Sequence, residues 1–209
     1  MTDTETGRLV LVRHGQTEWS EVGKHTGLTD LPLTPQGERD AATLEPVLHE
    51  YRFGLVLCSD LQRARRTAEL AGLTPEIDTD LREWDYGDAE GRTTDEMRQE
   101  QGPRWDVFES IRPGATPGET SEEVAGRMSR VLARVRPVLT GSAGSPPADV
   151  CLVGHGHAMR ILTATWLEKS PHFAAQLVLE AGALSVLGRY REDPCIVSWN
   201  VPVSARSGR

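Results

Sequence analysis

The chain is poor in the features that mark several large protein classes. Only three of its 209 residues are cysteines, the widely spaced Cys58, Cys151 and Cys195. That excludes a disulfide framework and suits small apolar residues in a reducing compartment. No apolar run approaches the ~20 residues that a membrane-spanning helix needs. Positive charge is in deficit, with 23 Lys and Arg against 31 Asp and Glu and a net charge of -8. Binding to nucleic acid or to an anionic membrane surface is therefore not expected. Met1 to Gly7 is polar and acidic and lacks the basic and apolar segments of a secretory signal, so a cytoplasmic location is expected. There is no internal repeat and no low-complexity linker.

What is present suits one globular domain: 38% hydrophobic and 26% charged residues, in a chain long enough to bury a sizeable core. The expected domain covers 1–203, with a disordered tail over 204–209. Short apolar runs predict buried strands at about Arg8–Val12, Leu55–Cys58 and Asp149–Val153. Weaker strands are expected near Pro75–Ile77, Ala183–Tyr190 and Ile196–Val201. Thr34-Pro35 predicts a helix running through Leu44, Val47 and Leu48 to about Tyr51. Ser59-Asp60-Leu61-Gln62 reads as a capping box. Further helices are expected over Thr93–Gln101, Arg104–Ser110 and His157–Trp166. Thr120 or Ser121 should start a long helix with Val124, Met128, Val131, Leu132, Val135 and Leu139 on its apolar face. Arg112–Gly118 reads as a loop. Alternating strands and helices imply a single-domain α/β three-layer sandwich, its central sheet mostly parallel and helices on both faces.

The chemistry gathers at strand ends. Arg13-His14-Gly15 follows the first buried run, Gly154-His155-Gly156-His157 follows another, and Arg63 lies in the helical turn after a third. In open α/β sheets this edge is where ligands bind. A cation in the first turn of a helix is locally unfavourable unless an anion is bound there. Two histidines and two arginines at one edge suit an anion, above all a phosphoryl group. The Arg13–Leu33 segment is longer than connections usually are without a function.

Leu11 through Trp19 resembles the signature of the histidine phosphatase (phosphoglycerate mutase-like) superfamily, branch 1. Thr26 to Asp30, Ser59 to Thr67, Leu81-Arg82-Glu83 with Tyr86-Gly87 and Glu90-Gly91, and Gly154-His155-Gly156 extend the resemblance in family order. Within the superfamily these segments are similar to actinobacterial acid phosphatases and fungal sedoheptulose bisphosphatases. The resemblance implies a phosphoglycerate mutase-like fold and a phosphohistidine intermediate on His14. Arg13, Arg63 and His155 would cradle the phosphoryl group, and Glu83 would act as general acid and base. It also implies substrate contacts from Gln16, Thr17, Ser20, Thr26, Gly27, Trp84, Tyr86 and Gly156. A neutral imidazole is a competent nucleophile near pH 7, and neighbouring arginines would hold it neutral. Backbone amides of the helix after His155 could join the anion site. No cofactor and no metal are expected, because protein cations can supply the charge stabilisation.

The expected partner is a small phosphorylated metabolite, a sugar phosphate or bisphosphate, and a homodimer is compatible with the sequence. A phosphoglycerate mutase is the alternative enzyme. Against it stand Trp84, where the mutase pattern has arginine, Ser20, where it has asparagine, and a chain shorter than typical mutases. A non-catalytic phospho-ligand-binding module is a further alternative. A metal site built from His14, His155 and His157 is disfavoured by the arginines beside it. His25, His49 and His172 lack motif context and read as solvated or structural, and His157 as structural.

Overall fold

The computed structural model describes residues 6–110, 118–142 and 144–202. The chain runs through β1 (Leu9–Arg13), α1 (Glu18–Glu21), α2 (Pro35–Ala42), α3 (Glu45–Leu48), β2 (Phe53–Cys58), α4 (Gln62–Leu70) and β3 (Glu76–Ile77). It continues through α5 (Thr94–Gln101), α6 (Val107–Ser110), α7 (Ser121–Thr140), β4 (Asp149–Gly154), α8 (Gly156–Trp166), β5 (Leu184–Tyr190) and β6 (Asp193–Val201). The strands form one six-stranded sheet in the order β3-β2-β4-β1-β5-β6. β3, β2, β4 and β1 pair in parallel, while β1–β5 and β5–β6 pair antiparallel. The α/β sandwich therefore forms with a mixed sheet.

Successive strand side chains point to opposite faces, and here both faces are covered. Leu9, Leu11, Val150 and Leu152 pack with α7 and α8. Val10, Val12, Cys58, Cys151 and Val153 pack with α3 and α4 on the other side. The predicted apolar stripe of α7 is buried along its whole length. Cys58 and Cys151 are free and buried, and Cys195 is free and partly exposed. Among the described residues no helix is long and apolar enough to cross a membrane.

Two local expectations fail for physical reasons. The helix expected over Thr34–Tyr51 is two helices, α2 ending at Ala42 and α3 starting at Glu45. Pro46 has no N–H to give to residue 42, and its ring would strike that carbonyl in a continuous helix. The Ser59–Gln62 capping box does not form, since α4 begins at Gln62 with Leu61 at the cap position and no side-chain cap there. Asp30 takes that role from across the fold, its Oδ1 accepting from Gln62 N at 2.8 Å. Thr34, Thr93 and Thr120 do cap α2, α5 and α7, the last two as reciprocal boxes with Glu96 and Glu123. Residues 112–117 of the predicted loop and the expected tail lie outside the described residues.

Candidate active site

Strand register brings the motif residues together. β1 and β4 are paired so that Arg13 faces Gly154, and β2 places Cys58 opposite Val153. One residue further on, His14, His155 and Ser59 leave the sheet side by side. His14 is 4% exposed, and its main chain is fixed at both ends by bonds to Gly154 O and from Gly182 N, each 2.9 Å. Its Nδ1 lies 2.7 Å from Gly15 O. A carbonyl only accepts, so Nδ1 carries the proton and Nε2 keeps its lone pair. Burial, then Arg63, then Arg13 hold this imidazole well below the usual histidine range, so it is neutral at pH 7.

His155 is fully buried, with its ring 5.1 Å from that of His14. Arg63 Nε donates to its Nδ1 at 3.2 Å, which puts the proton on Nε2, 2.8 Å from Ser59 Oγ. Arg63, also fully buried, gives its remaining nitrogens to the carbonyls of Thr29, Thr26 and Gly27 at 2.8–3.1 Å. Burial lowers the pKa of Arg63 from the usual arginine value, opposed mainly by Glu83. Arg13 donates to Leu179 O, and its buried Nε has no partner among the described residues. The guanidinium lies against Gly156, where an added Cβ would stand 3.2 Å from Cζ and Nε. Arg13 is thus positioned by packing instead of a counter-ion, and its charge is left to act on the cavity.

Glu83 is 4% exposed. Its Oε1 accepts from Trp84 N at 2.9 Å and Ala158 N at 2.8 Å, and its Oε2 from His157 N at 2.9 Å. Two first-turn amides of α8 thus go to a carboxylate of the protein, which corrects the expectation that they serve the bound anion. The segment carrying Glu83 is clamped from α7 by Arg127, which donates to the carbonyls of Asp80, Arg82 and Glu83 and to the Glu119 carboxylate.

A cavity of about 460 Å³ opens over these groups. Of the sequence-predicted residues, Arg13, His14, Ser20, Thr26, Glu83 and Tyr86 line it. Arg63 and His155 are not among the lining residues, and both ring nitrogens of His155 are engaged, one by Arg63 and one by Ser59. The other expected contacts are not among the residues that line the cavity. Gln16 Oε1 accepts from Thr34 Oγ1 at 2.8 Å. Thr17 is fully buried and caps α1, sharing reciprocal bonds with Ser20. Gly27 N binds the Glu90 carboxylate at 2.8 Å. Trp84, fully buried, gives its indole N–H to Glu119 O at 2.7 Å. Gly156 makes room for Arg13.

The sequence reading missed several cavity residues: His25, His157, Arg98 and Arg160. His25 is buried, and burial lowers its pKa to about 4. His157 Nδ1 is 2.6 Å from Tyr86 Oη. Burial and then Arg160 hold this imidazole well below its usual range, while burial and then Glu83 push the Tyr86 phenol well above its own. The available signal was a polar residue on an otherwise buried helix face. His157 and Arg160 lie three apart on α8, and Arg127 interrupts the apolar stripe of α7. Among the described residues, no three His, Cys, Asp or Glu side chains are grouped to hold a metal ion.

The profile of the histidine phosphatase superfamily (branch 1) matches residues 9–202, and the chain belongs to that superfamily. Among its relatives, sedoheptulose 1,7-bisphosphatase of Saccharomyces cerevisiae is 37% identical over 77% of this chain and 68% of that protein. An acid phosphatase of Mycobacterium tuberculosis is 33% identical over 87% of this chain and 86% of its own. A solved structure from Mycobacterium tuberculosis superposes with a TM-score of 0.86 at 30% identity, covering 94% of this chain and 98% of that one.

Proposed function

We propose that this protein is a metal-independent phosphomonoesterase that hydrolyses small phosphorylated metabolites, sugar phosphates or bisphosphates, through a phosphohistidine on His14. The observation that carries this reading is the state of His14: neutral, its Nδ1–H tied to Gly15 O, its Nε2 lone pair facing a cavity that also presents Arg13 and Glu83. A neutral imidazole at the end of a rigid strand is a ready nucleophile toward phosphorus. The names of the two curated relatives, both phosphatases, point the same way.

In the first step the Nε2 lone pair forms the N–P bond while the ester P–O bond breaks. The departing alkoxide takes a proton from the Glu83 carboxyl. Glu83 accepts amides in the resting protein, and the proton it hands to the alkoxide is the one brought in by the phosphate monoanion of the ester. Arg13 and Arg63 neutralise charge on the transferring oxygens. The Nε2–H of His155 leaves Ser59 for a phosphoryl oxygen. In the second step Glu83 takes a proton from water, the hydroxide attacks phosphorus, and the P–N electrons return to Nε2. Inorganic phosphate departs with the proton that Glu83 took from water, and both groups are restored.

The test is phosphate release from a panel of phosphomonoesters with chelator present, together with acid-quench trapping of labelled phosphoenzyme. Release with a trapped phosphohistidine, both lost in His14→Ala, is the expected result. Isomerisation of phosphoglycerate without release would replace this reading with a mutase. Release that survives His14→Ala would overturn the nucleophile. Glu83→Gln should slow hydrolysis of alkyl esters by about 10²–10⁴-fold. It should slow p-nitrophenyl phosphate much less, since that leaving group needs little protonation.

A further inference from the structure

The proposed chemistry uses only part of the cavity. Its lining includes four cations, Arg13, Lys24, Arg98 and Arg160, against two carboxylates, Glu83 and Asp106. The histidines that line it include His14, His25 and His157, each with a lowered pKa, so they add no charge near pH 7. A chain of net charge -8 thus carries a cationic cavity, and the cleavage of one ester engages only Arg13 of those four.

Arg160 and Arg98 are mounted in the same manner. Arg160 Nε donates to Ala174 O at 2.9 Å, and Arg98 Nε to Trp105 O at 3.1 Å. Arg160 also lies over the Phe108 ring, 5.1 Å from its centroid. In both, the terminal nitrogens have no hydrogen-bond or ion-pair partner among the described residues. A guanidinium anchored through Nε presents its two outer nitrogens as a fork, the geometry that grips a carboxylate or phosphate through two bonds. Arg160 is only partly exposed, and burial lowers its pKa, opposed by Tyr86, Glu83 and Asp106. The carboxylates facing it are those of Glu83 and Asp106. Glu83 is held by backbone amides, and Asp106 accepts from Phe108 N at 2.9 Å.

We infer that Arg160, supported by Arg98, forms a second anion subsite, so that the preferred substrate carries another anionic group besides the phosphate that is cleaved. This deepens the phosphatase reading and rests on it for the word substrate. The shared chemistry is a carboxylate or a second phosphate on a small carbon skeleton, within a cavity of about 460 Å³. Arg160 is here a specificity residue, one to which the proposed bond making and breaking assigns no step.

The experiment uses two matched pairs of esters. Glycerol 3-phosphate and 3-phosphoglycerate differ in a carboxylate, and fructose 6-phosphate and fructose 1,6-bisphosphate differ in a phosphate. The intact protein should favour the more anionic member of at least one pair, and the favoured pair names the anion. Arg160→Gln should raise KM for that member by about ten- to a hundredfold and change the other less than about threefold. Arg98→Gln, on the exposed wall, should shift the same ratio by a smaller factor, and it covers the case in which Arg160→Gln fails to fold.

Calorimetric binding of the same four compounds to His14→Ala, with and without Arg160→Gln, separates the two claims. Binding that needs both the second anion and Arg160, in a protein that never releases phosphate, would keep the subsite and discard the phosphatase. Hydrolysis that is equal across each pair, or lowered equally by Arg160→Gln, would discard the subsite and keep the phosphatase.

Discussion

His14 and His155 leave neighbouring strands one residue beyond a paired position, and their rings stand 5.1 Å apart. Both are buried, and both are held neutral by burial first and by Arg63 and Arg13 among their neighbours. Their hydrogen bonds differ. His14 spends one nitrogen on its own loop, at Gly15 O. His155 spends both, one on Arg63 and one on Ser59. Similar fields therefore leave one imidazole with an uncommitted lone pair and the other with none. The difference lies in one lone pair, not in charge or depth.

The largest test of that contrast is the pair of alanine variants. His14→Ala should remove phosphate release by about 10⁴-fold or more, with no phosphoenzyme in an acid-quench gel. His155→Ala should lower turnover by about 10²-fold while still yielding phosphoenzyme, because the nucleophile remains and a donor is lost. Equal losses with no phosphoenzyme in either variant would erase the distinction.

A second test sharpens what the two rings share. An imidazole kept neutral in the fold takes up a proton on unfolding, so it adds stability above its unfolded value near 6.5 that is lost as pH falls. His25 gives the clearest window, from 6.5 down to about 4. Across it each such histidine lowers stability by up to about 1.4 kcal/mol per pH unit. Urea midpoints at pH 7 and 5 should show this loss, and His25→Gln should make it shallower by about one proton. An unchanged slope in that variant would contradict the burial of His25.

The smallest effect concerns the cation that packs against Gly156. Gly156→Ala places a methyl 3.2 Å from the Arg13 guanidinium, closer than carbon usually comes. A shift of a few tenths of an ångström should cost about three- to tenfold in kcat/KM with little change in Tm. A parental rate would mean that Arg13 tolerates being moved.

Much of this arrangement was legible in the chain. The buried runs before His14 and His155 and the cap residues Thr34 and Thr120 are local patterns, and local patterns survive folding when no tertiary group competes. Ser59 shows the opposite case. Its hydroxyl looked like a helix cap, but His155 takes it, and Asp30 supplies the α4 cap from 32 positions upstream. Gln16, Thr17 and Trp84 belong to motif segments, yet Gln16 Oε1, Thr17 Oγ1 and the Trp84 indole N–H are bonded to Thr34, Ser20 and Glu119. Arg127 and Arg160 could not be ranked above the chain's other cations, because what marks them is tertiary: the three carbonyls around Arg127 and the cavity that Arg160 lines. Adjacency along the chain shows which residues travel together; it does not show which atoms remain unspent.

Cys58 and Cys151 come from β2 and β4 and share the sheet face under α3 and α4. Burial pushes the Cys58 thiol up to about 12 and raises that of Cys151. Only the thiolate reacts with alkylating and disulfide reagents, so neither sulfur can be tagged at neutral pH while the helices stay seated. The sheet therefore carries its own clock. With the partly exposed Cys195 replaced by serine, the rate of thiol capture in native buffer counts how often that face comes open.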